Sequence, residues 1–297
     1  MELRHIRYFL AVADEMSFTK AALRLNIAQP PLSRQIQDLE AELGVQLFVR
    51  KNRTLELTEE GALFRHYGRQ ILELVDKSAQ EVREIQTGVS GTLYIASLAG
   101  QGPRLLSKWI SGFKALYPNV QYILWNGNSD DVMDRMLNGL CDLAIVLGPY
   151  NTDGFNGIRV FSEPWIAMIP KDHPLAKLPG DTLDMIKLSG CDLILPSRKD
   201  RVKEIRSWFD VSDLKPNIIC ESAHFMDVHE LVEQGIGIAI FPESSAETMD
   251  PEKAVKKLIV NPRVTASYEL VWTKDRKLPY LAIKFLQYIQ ENYIERI

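Results

Sequence analysis

Apolar and polar positions recur along this chain with two periods, and the change comes near Gly91. Before it the period is helical. Leu3, Ile6, Phe9, Leu10 and Ala13 form a stripe at three- and four-residue spacings, predicting a helix over 3–14. Ser17 suits the cap of a second short helix over 18–25, and Asn26 its left-handed stop. After Asn26-Ile27-Ala28 a third helix is expected over 29–43. Its tandem prolines, Pro30 and Pro31, fit a first turn, where the missing N–H groups have no helical partner. Gly44 fits the position after the last turn, and Leu32, Ile36, Leu39 and Leu43 form one buried stripe. Gln29, Ser33, Arg34 and Gln37 lie opposite near the start, and Asp38, Glu40 and Glu42 gather at the far end. A helix that is polar and cationic at its start and acidic at its tail can put that start into a DNA major groove. Two short helices joined by a tight turn make a helix-turn-helix.

A strand over 45–50 and an alternating strand over 54–58 follow, forming a hairpin with Arg50, Lys51 and Arg53 at its tip. After a helix-turn-helix, such a hairpin reads as a wing whose cations lie on the backbone or in the minor groove. Thr58 then caps a long helix that ends at Thr87 before Gly88, with Glu59 and Glu60 at its positive end. At 1.5 Å per residue it would span roughly 43 Å. Phe64, Ile71 and Ile85 lie a heptad or two apart, and Leu72, Val75, Ala79 and Val82 form a second seam, so the helix reads as linker and homodimer interface together.

Beyond Gly91 strands alternate with helices: strands at 93–97, 120–125, 143–147, 165–169, 193–196, 218–220, 238–241 and 268–272, and helices at 103–116, 129–138, 199–209, 225–234 and 278–292. The expected class is α/β with a mostly parallel sheet, in two subdomains whose crossings fall near 161–162 and 266–267. The expected domains are 1–58, a winged helix-turn-helix; 59–88, a linker helix; and 89–297, built from 91–161 plus 267–297 and from 162–266.

Composition narrows the function. At 46% hydrophobic and 25% charged the chain is globular, and no apolar run approaches the roughly 18 residues of a membrane span. The first residues lack the layout of a secretion signal, so a cytoplasmic protein is expected. The net charge is −4, and the first 58 residues carry eight basic against seven acidic side chains. Any DNA affinity must therefore come from where charges stand. Cys141, Cys191 and Cys220 are far apart and read as buried structural thiols. The histidines show no ligand spacing, and no Ser-His-Asp pattern or Gly-x-Gly-x-x-Gly occurs, so neither enzyme, metal nor cofactor is expected.

Two-subdomain α/β proteins bind ligands between the lobes, at strand C-terminal ends and helix starts. The candidates are Ser97, Ala99, Gly100 and Gln101 after the first strand, Asn128 and Ser129 after the second, Ser197 and Arg198 after Pro196, and His224 and Phe225 after Cys220. Arg198 with free helix-start amides would suit a carboxylate. Rival readings are a ligand-independent DNA-binding protein, a solute-binding protein and an enzyme.

Leu3-Arg4-His5-Ile6-Arg7-Tyr8-Phe9, Ser17-Phe18-Thr19-Lys20-Ala21-Ala22, Gln29-Pro30-Pro31-Leu32-Ser33-Arg34-Gln35-Ile36, Leu43-Gly44-Val45-Gln46-Leu47-Phe48 and Leu57-Thr58-Glu59-Glu60-Gly61, in this order, resemble the LysR-type transcriptional regulators. This first block is similar to members regulating aromatic-compound breakdown, such as benzoate and muconate regulators. The likeness continues more loosely through Tyr117-Pro118, Asp142-Leu143, Gly235-Ile236-Gly237 and Phe241-Pro242. The resemblance implies a winged helix-turn-helix, a long linker helix and a periplasmic-binding-protein-like effector domain. It also implies a homotetramer on double-stranded promoter DNA that answers a small-molecule effector, with RNA polymerase as a further partner. By position it places Ser33 and Arg34 against DNA, Gln29, Pro30, Pro31 and Gln37 beside them, Thr19 and Lys20 near phosphate and Arg53 at the wing. Lys20 and Arg50 would add salt-dependent affinity. Two positions depart from the pattern: Ala28 replaces a capping Ser, and the loop Leu98-Ala99-Gly100-Gln101-Gly102 lacks the family's Ser or Thr.

Overall fold

Three short helices, a hairpin and a long helix build the first part of the chain: α1 (Leu3–Glu15), α2 (Phe18–Leu25), α3 (Gln29–Leu43), β1 (Phe48–Lys51), β2 (Thr54–Leu57) and α4 (Glu59–Glu84). The computed structural model describes residues 1–51, 54–84, 90–209 and 215–294, with the side chains of Lys51, Glu81, Arg83, Glu84 and Phe225 outside that description. The chain divides into two units, Met1–Gln86 and Thr87–Ile297.

In the first unit the helical stripes meet in one core. Ile6, Phe9, Ala21, Leu32, Ile36 and Leu39 are buried together, with Phe64 of α4 against them. Phe9 meets Phe64 edge-on at 4.9 Å between ring centroids. Leu43, expected to complete the stripe, is 38% exposed. It stands in the last turn before Gly44 (φ 72°) swings the chain away, so it is only partly covered. The wing is shorter than expected because residues 45–47 do not extend into strand. Instead Glu40 Oε1 accepts the amides of Leu47 and Phe48 at 2.7 and 3.1 Å, and only then does β1 pair with β2, Phe48 opposite Leu57. Thr58 caps α4, taking the Gly61 amide at 2.9 Å while its hydroxyl donates to the Gln46 carbonyl. Gly61 is required: a Cβ there would stand 2.0 Å from the Leu47 carbonyl oxygen. The described part of α4 ends at Glu84, so the expected end at Thr87 and the heptad position Ile85 lie outside the described residues.

The second unit contains β3 (Gly91–Leu98), α5 (Gln101–Leu116), β4 (Val120–Gly127), α6 (Ser129–Leu137), β5 (Leu143–Leu147), β6 (Phe155–Pro170), β7 (Thr182–Asp184), β8 (Asp192–Pro196), α7 (Lys199–Ser207), β9 (Asn217–Ser222), α8 (Phe225–Glu233), β10 (Ile238–Pro242), β11 (Ala254–Val260), β12 (Thr265–Thr273) and α9 (Tyr280–Tyr293). Strand order is β4-β3-β5-β12-β6-β10-β8-β9, with β11 on β6 and β7 on β11. The sheet is mixed. β3 pairs in parallel with β4 and β5, and β8 with β9 and β10, whereas β12 and β6 run antiparallel to their neighbours. These two long strands join the lobes: β6 pairs with β12 as far as Pro164, then with β10 and β11 from Trp165.

Alternation gives each lobe two packed faces. Leu93 and Ile95 of β3 pack with Trp109, Phe113 and Phe285, while Tyr94, Ala96 and Leu98 pack with Val132 and Met136. In the other lobe Trp165 and Ala167 of β6 join Ile205 and Trp208, and Ile166 and Met168 join Val228 and Val232. Fully burying a large side chain of this kind is worth about 1.5–3 kcal/mol. Cys141 is buried, but Cys191 and Cys220 are only half-buried, because they sit at the exposed end and edge of the second lobe's strands.

Candidate functional site

In the first unit, Ser17 turns its Oγ to the Lys20 amide at 3.3 Å and starts α2, leaving the Thr19 and Lys20 side chains exposed. Asn26 (φ 55°) and the Ile27 amide, bonded to the Ala22 carbonyl at 3.0 Å, close the turn. α3 then begins from Ala28, which is extended and offers no side-chain cap; Pro30 and Pro31 need none for their own positions. Leu32, Ile36 and Leu39 point inward, so Gln29, Pro30, Pro31, Arg34 and Gln37 are exposed and Ser33 is half-buried at the rim. Arg50 on β1 is exposed too; Arg53 lies outside the described residues.

The cations of this unit fall into two sets. Arg65 and Arg69 donate to Asp14 Oδ1 at 3.0 and 2.6 Å, and Arg24 reaches Glu15 at 3.4 Å. Burial alone would raise the Asp14 carboxyl, but the two guanidiniums more than offset it and hold the group below its ordinary range. Lys20, Arg34 and Arg50 make no ion pair among the described residues and stand in solvent. Cations of the first set fasten α1 to α2 and α4. Those of the second are available to a polyanion.

The second unit holds a cleft of about 120 Å³ between its lobes. Of the residues expected there, Ala99, Asn128, Ser129, Ser197 and Arg198 line it. Asn128 caps α6, its side chain accepting the Asp131 amide at 2.9 Å. Arg198 reaches across from the β8–α7 junction, and its Nη1 donates to the Leu147 carbonyl at 3.0 Å.

The other expected residues stand elsewhere. Ser97 is fully buried and donates to Asn126 at 2.6 Å, packed against Gly102, so it fastens β3 to β4 and the start of α5. Gly100 does not line the cleft; it passes beside Ser244, and a Cβ there would lie 3.2 Å from the Ser244 hydroxyl. Gln101 is buried in the first turn of α5 and faces a separate recess with Arg104 and Lys108. His224 is exposed, and its amide donates to Ser222 Oγ as the chain enters α8. Phe225 opens α8, but its side chain lies outside the described residues.

The sequence reading missed other parts of the lining: Leu147, Phe241, Pro242, Ser245 and Tyr268. Leu147 and Phe241 end or nearly end strands, so the strand-end rule applied throughout would have found them. Tyr268 lies within antiparallel β12, where no local signal points to a cleft. Its hydroxyl donates at 2.5 Å to buried Glu163 Oε1, which also accepts Ser244 Oγ at 2.7 Å, while Oε2 takes the Ser244 amide at 2.8 Å. Burial, and then the Glu163 charge, push the Tyr268 hydroxyl well above its usual pKa, so it stays a donor. Arg201 behind the cleft is buried over the Trp165 ring, paired with Glu204 and bonded to the Gly148 carbonyl.

The LysR substrate binding domain family matches residues 86–293, and the bacterial regulatory helix-turn-helix family of lysR type matches residues 3–62. The chain is 34% identical over 280 residues to the uncharacterised HTH-type transcriptional regulator YnfL of Escherichia coli, covering 93% of this chain and 94% of that one. It is 32% identical over 248 residues to the HTH-type transcriptional regulator BenM of Acinetobacter baylyi, covering 82% and 81%. The crystal structure of CbnR, a LysR family transcriptional regulator, superposes with a TM-score of 0.78 at 26% identity, covering 99% of this chain and 100% of that one. Full-length CbnR complexed with its target DNA gives 0.75 at 26% identity, covering 98% and 99%. This chain belongs to the LysR-type transcriptional regulators, a family of gene regulators rather than enzymes, and carries both the helix-turn-helix and the effector-binding domain of that family.

Proposed function

We propose that this regulator reads promoter DNA with the start of α3 and answers a small molecule held between the lobes of its second unit. The observation that carries the first half is the division of the α3 surface. Leu32, Ile36 and Leu39 are buried, while Gln29, Arg34 and Gln37 are exposed and Arg34 makes no ion pair among the described residues. Glutamine pairs adenine and arginine pairs guanine through two hydrogen bonds each. Ser33, Pro30 and Pro31 would fit the groove wall, Thr19 and Lys20 the phosphates, and Arg50 with Arg53 the wing's contact.

The exposed apolar residues of α4, Leu63, Tyr67, Ile71 and Leu74, support a homodimer through this helix, and family membership supports assembly to a homotetramer and contact with RNA polymerase in the cytoplasm. Ala99, Asn128, Ser129, Ser197 and Arg198 are the effector contacts supported by the cleft.

A gel-shift with the DNA upstream of the gene tests this. Arg34→Ala should weaken operator binding by about 1–3 kcal/mol, or roughly five- to 150-fold, with the melting temperature unchanged. Lys20→Ala should weaken all sequences alike and flatten the salt dependence by about one phosphate contact. Equal binding by Arg34→Ala and the parent would overturn the assignment. Unchanged regulation after deletion of residues 91–297 would favour a ligand-independent DNA-binding protein.

A further inference from the structure

The chemistry around Arg198 narrows the class of effector, and this step rests on the regulator reading above. Among the described residues lining the cleft, Arg198 is the one charged side chain. It is 16% exposed, so its guanidinium is largely out of water. Its partners are weak. Nη1 faces the neutral Leu147 carbonyl, and the Asp130 carboxylate, itself 79% exposed, stands 4.0 Å from Nε. A mostly desolvated cation opposite a carbonyl is under-compensated. A carboxylate would offer a forked, charge-assisted pair, about twice as strong as a neutral hydrogen bond.

The neighbouring charges are already answered. Arg201 is ion-paired with Glu204 and bonded to the Gly148 carbonyl. Glu163 takes three donors from Ser244 and Tyr268. α7 starts at Lys199 with no side-chain cap, so its first amides add to the cationic end of the cleft. The remaining wall is mainly apolar, at Leu98, Leu147, Pro196, Phe241 and Pro242, with serine hydroxyls between, and the cleft's volume of about 120 Å³ is small.

We propose that the effector is a small monoanion, one carboxylate on a compact apolar body, and that its carboxylate takes Arg198 from the Leu147 carbonyl. Arg198 belongs to the lobe of β8 and α7, and Leu147 ends β5 of the other lobe. Binding therefore replaces a direct bond between lobes with one that runs through the ligand, while the Arg201–Gly148 bond stays. A second anionic group would find no free cation in the lining.

Calorimetric titration of the full chain tests this with isovalerate, 4-methylpentanoate and cyclohexanecarboxylate, each against its primary amide, and with adipate as a dianion. At least one monocarboxylate should bind about tenfold tighter than its amide and tighter than adipate. Arg198→Gln should erase the preference for acid over amide. Arg198→Lys, which keeps the charge without the fork, should keep part of it, and serves alone if the glutamine variant fails to fold. Acid and amide binding alike, a preference that survives Arg198→Gln, or no binding by any acid would overturn the proposal. The same preparations are tested on the upstream DNA. Retained DNA binding without acid preference sinks the anion proposal alone, whereas loss of DNA binding by the parent chain sinks the regulator reading.

Discussion

The Glu40 carboxylate accepts the Leu47 amide at 2.7 Å, and through that bond the last turn of the helix-turn-helix holds the first residues of the wing. The Phe48 amide shares the same oxygen. Leu47 stands just before β1 and Phe48 opens it, so without Glu40 both amides would lose this part-buried acceptor. Glu40→Ala should cost about 1–3 kcal/mol. All five tryptophans lie between Trp109 and Trp272, so tryptophan fluorescence is blind to the first unit. The far-UV helical signal should begin to melt earlier in the variant while the fluorescence transition holds. Coincident, unshifted transitions would rule out this role for Glu40.

Gly61 makes the companion test. The missing Cβ leaves room for the Leu47 carbonyl, and an added methyl would sit 2.0 Å from that oxygen. The obstacle is backbone, not a side chain that can swing aside. Gly61→Ala should therefore lower stability despite alanine's gain of about 1 kcal/mol in helix propensity. Gly154→Ala provides a contrast, since it meets nothing within 4 Å and pays only for its left-handed φ of 81°. An early far-UV transition is expected for Gly61→Ala; a rise in melting temperature would contradict the packing argument.

What could be read in the sequence follows from how local each determinant is. The bounds of α3 come from its own prolines, stripe and Gly44, and it runs from Gln29 to Leu43 as its pattern dictates. β6 is harder. Its sixteen residues include Gly157, Arg159 and Pro164, and its first half is only partly buried, so the apolar stretch from Trp165 is all that reads as strand. β11 was hidden by Lys257, whose ammonium is buried and donates to the carbonyls of Leu178 and Gly180 at 2.7 and 2.6 Å. Arg198 is legible because it follows a strand end. The Leu147 carbonyl that it meets also ends a strand, whereas Tyr268 beside the cleft stands mid-strand in β12, where no local pattern marks it.

Asp14 gives the first unit an acid-sensitive fastening. Burial works against its charge, yet Arg69 and Arg65 hold its carboxyl below the ordinary value of 3.8. A depressed folded-state pKa contributes stability that is present above the unfolded value and lost as pH falls through the folded one. Asp14→Asn should therefore be less stable than the parent at pH 7, with a constant gap down to about pH 4 that closes below it. Far-UV melts at pH 7, 5, 4 and 3 would check this. A gap that persists undiminished at pH 3, or none at pH 7, would remove the arginine pair as the cause.

Glu163 should behave as the centre of a small network where the lobes join. It lies in β6, Tyr268 in β12 and Ser244 in the turn after β10, so one carboxylate ties both crossing strands to the cleft wall. It has no cation partner in this set; its charge is balanced by donors alone. Glu163→Ala would leave those donors without their acceptor, at about 1–3 kcal/mol. Tyr268→Phe removes one donor and should cost less. Because the two act on the same oxygen, the double variant should cost less than the sum of the singles, with a coupling of about 0.5–3 kcal/mol. Urea titration followed by tryptophan fluorescence reads this unit directly, since every tryptophan lies within it. Strict additivity would mean that the short Tyr268–Glu163 contact contributes nothing, and the junction of the lobes would then rest on backbone pairing alone.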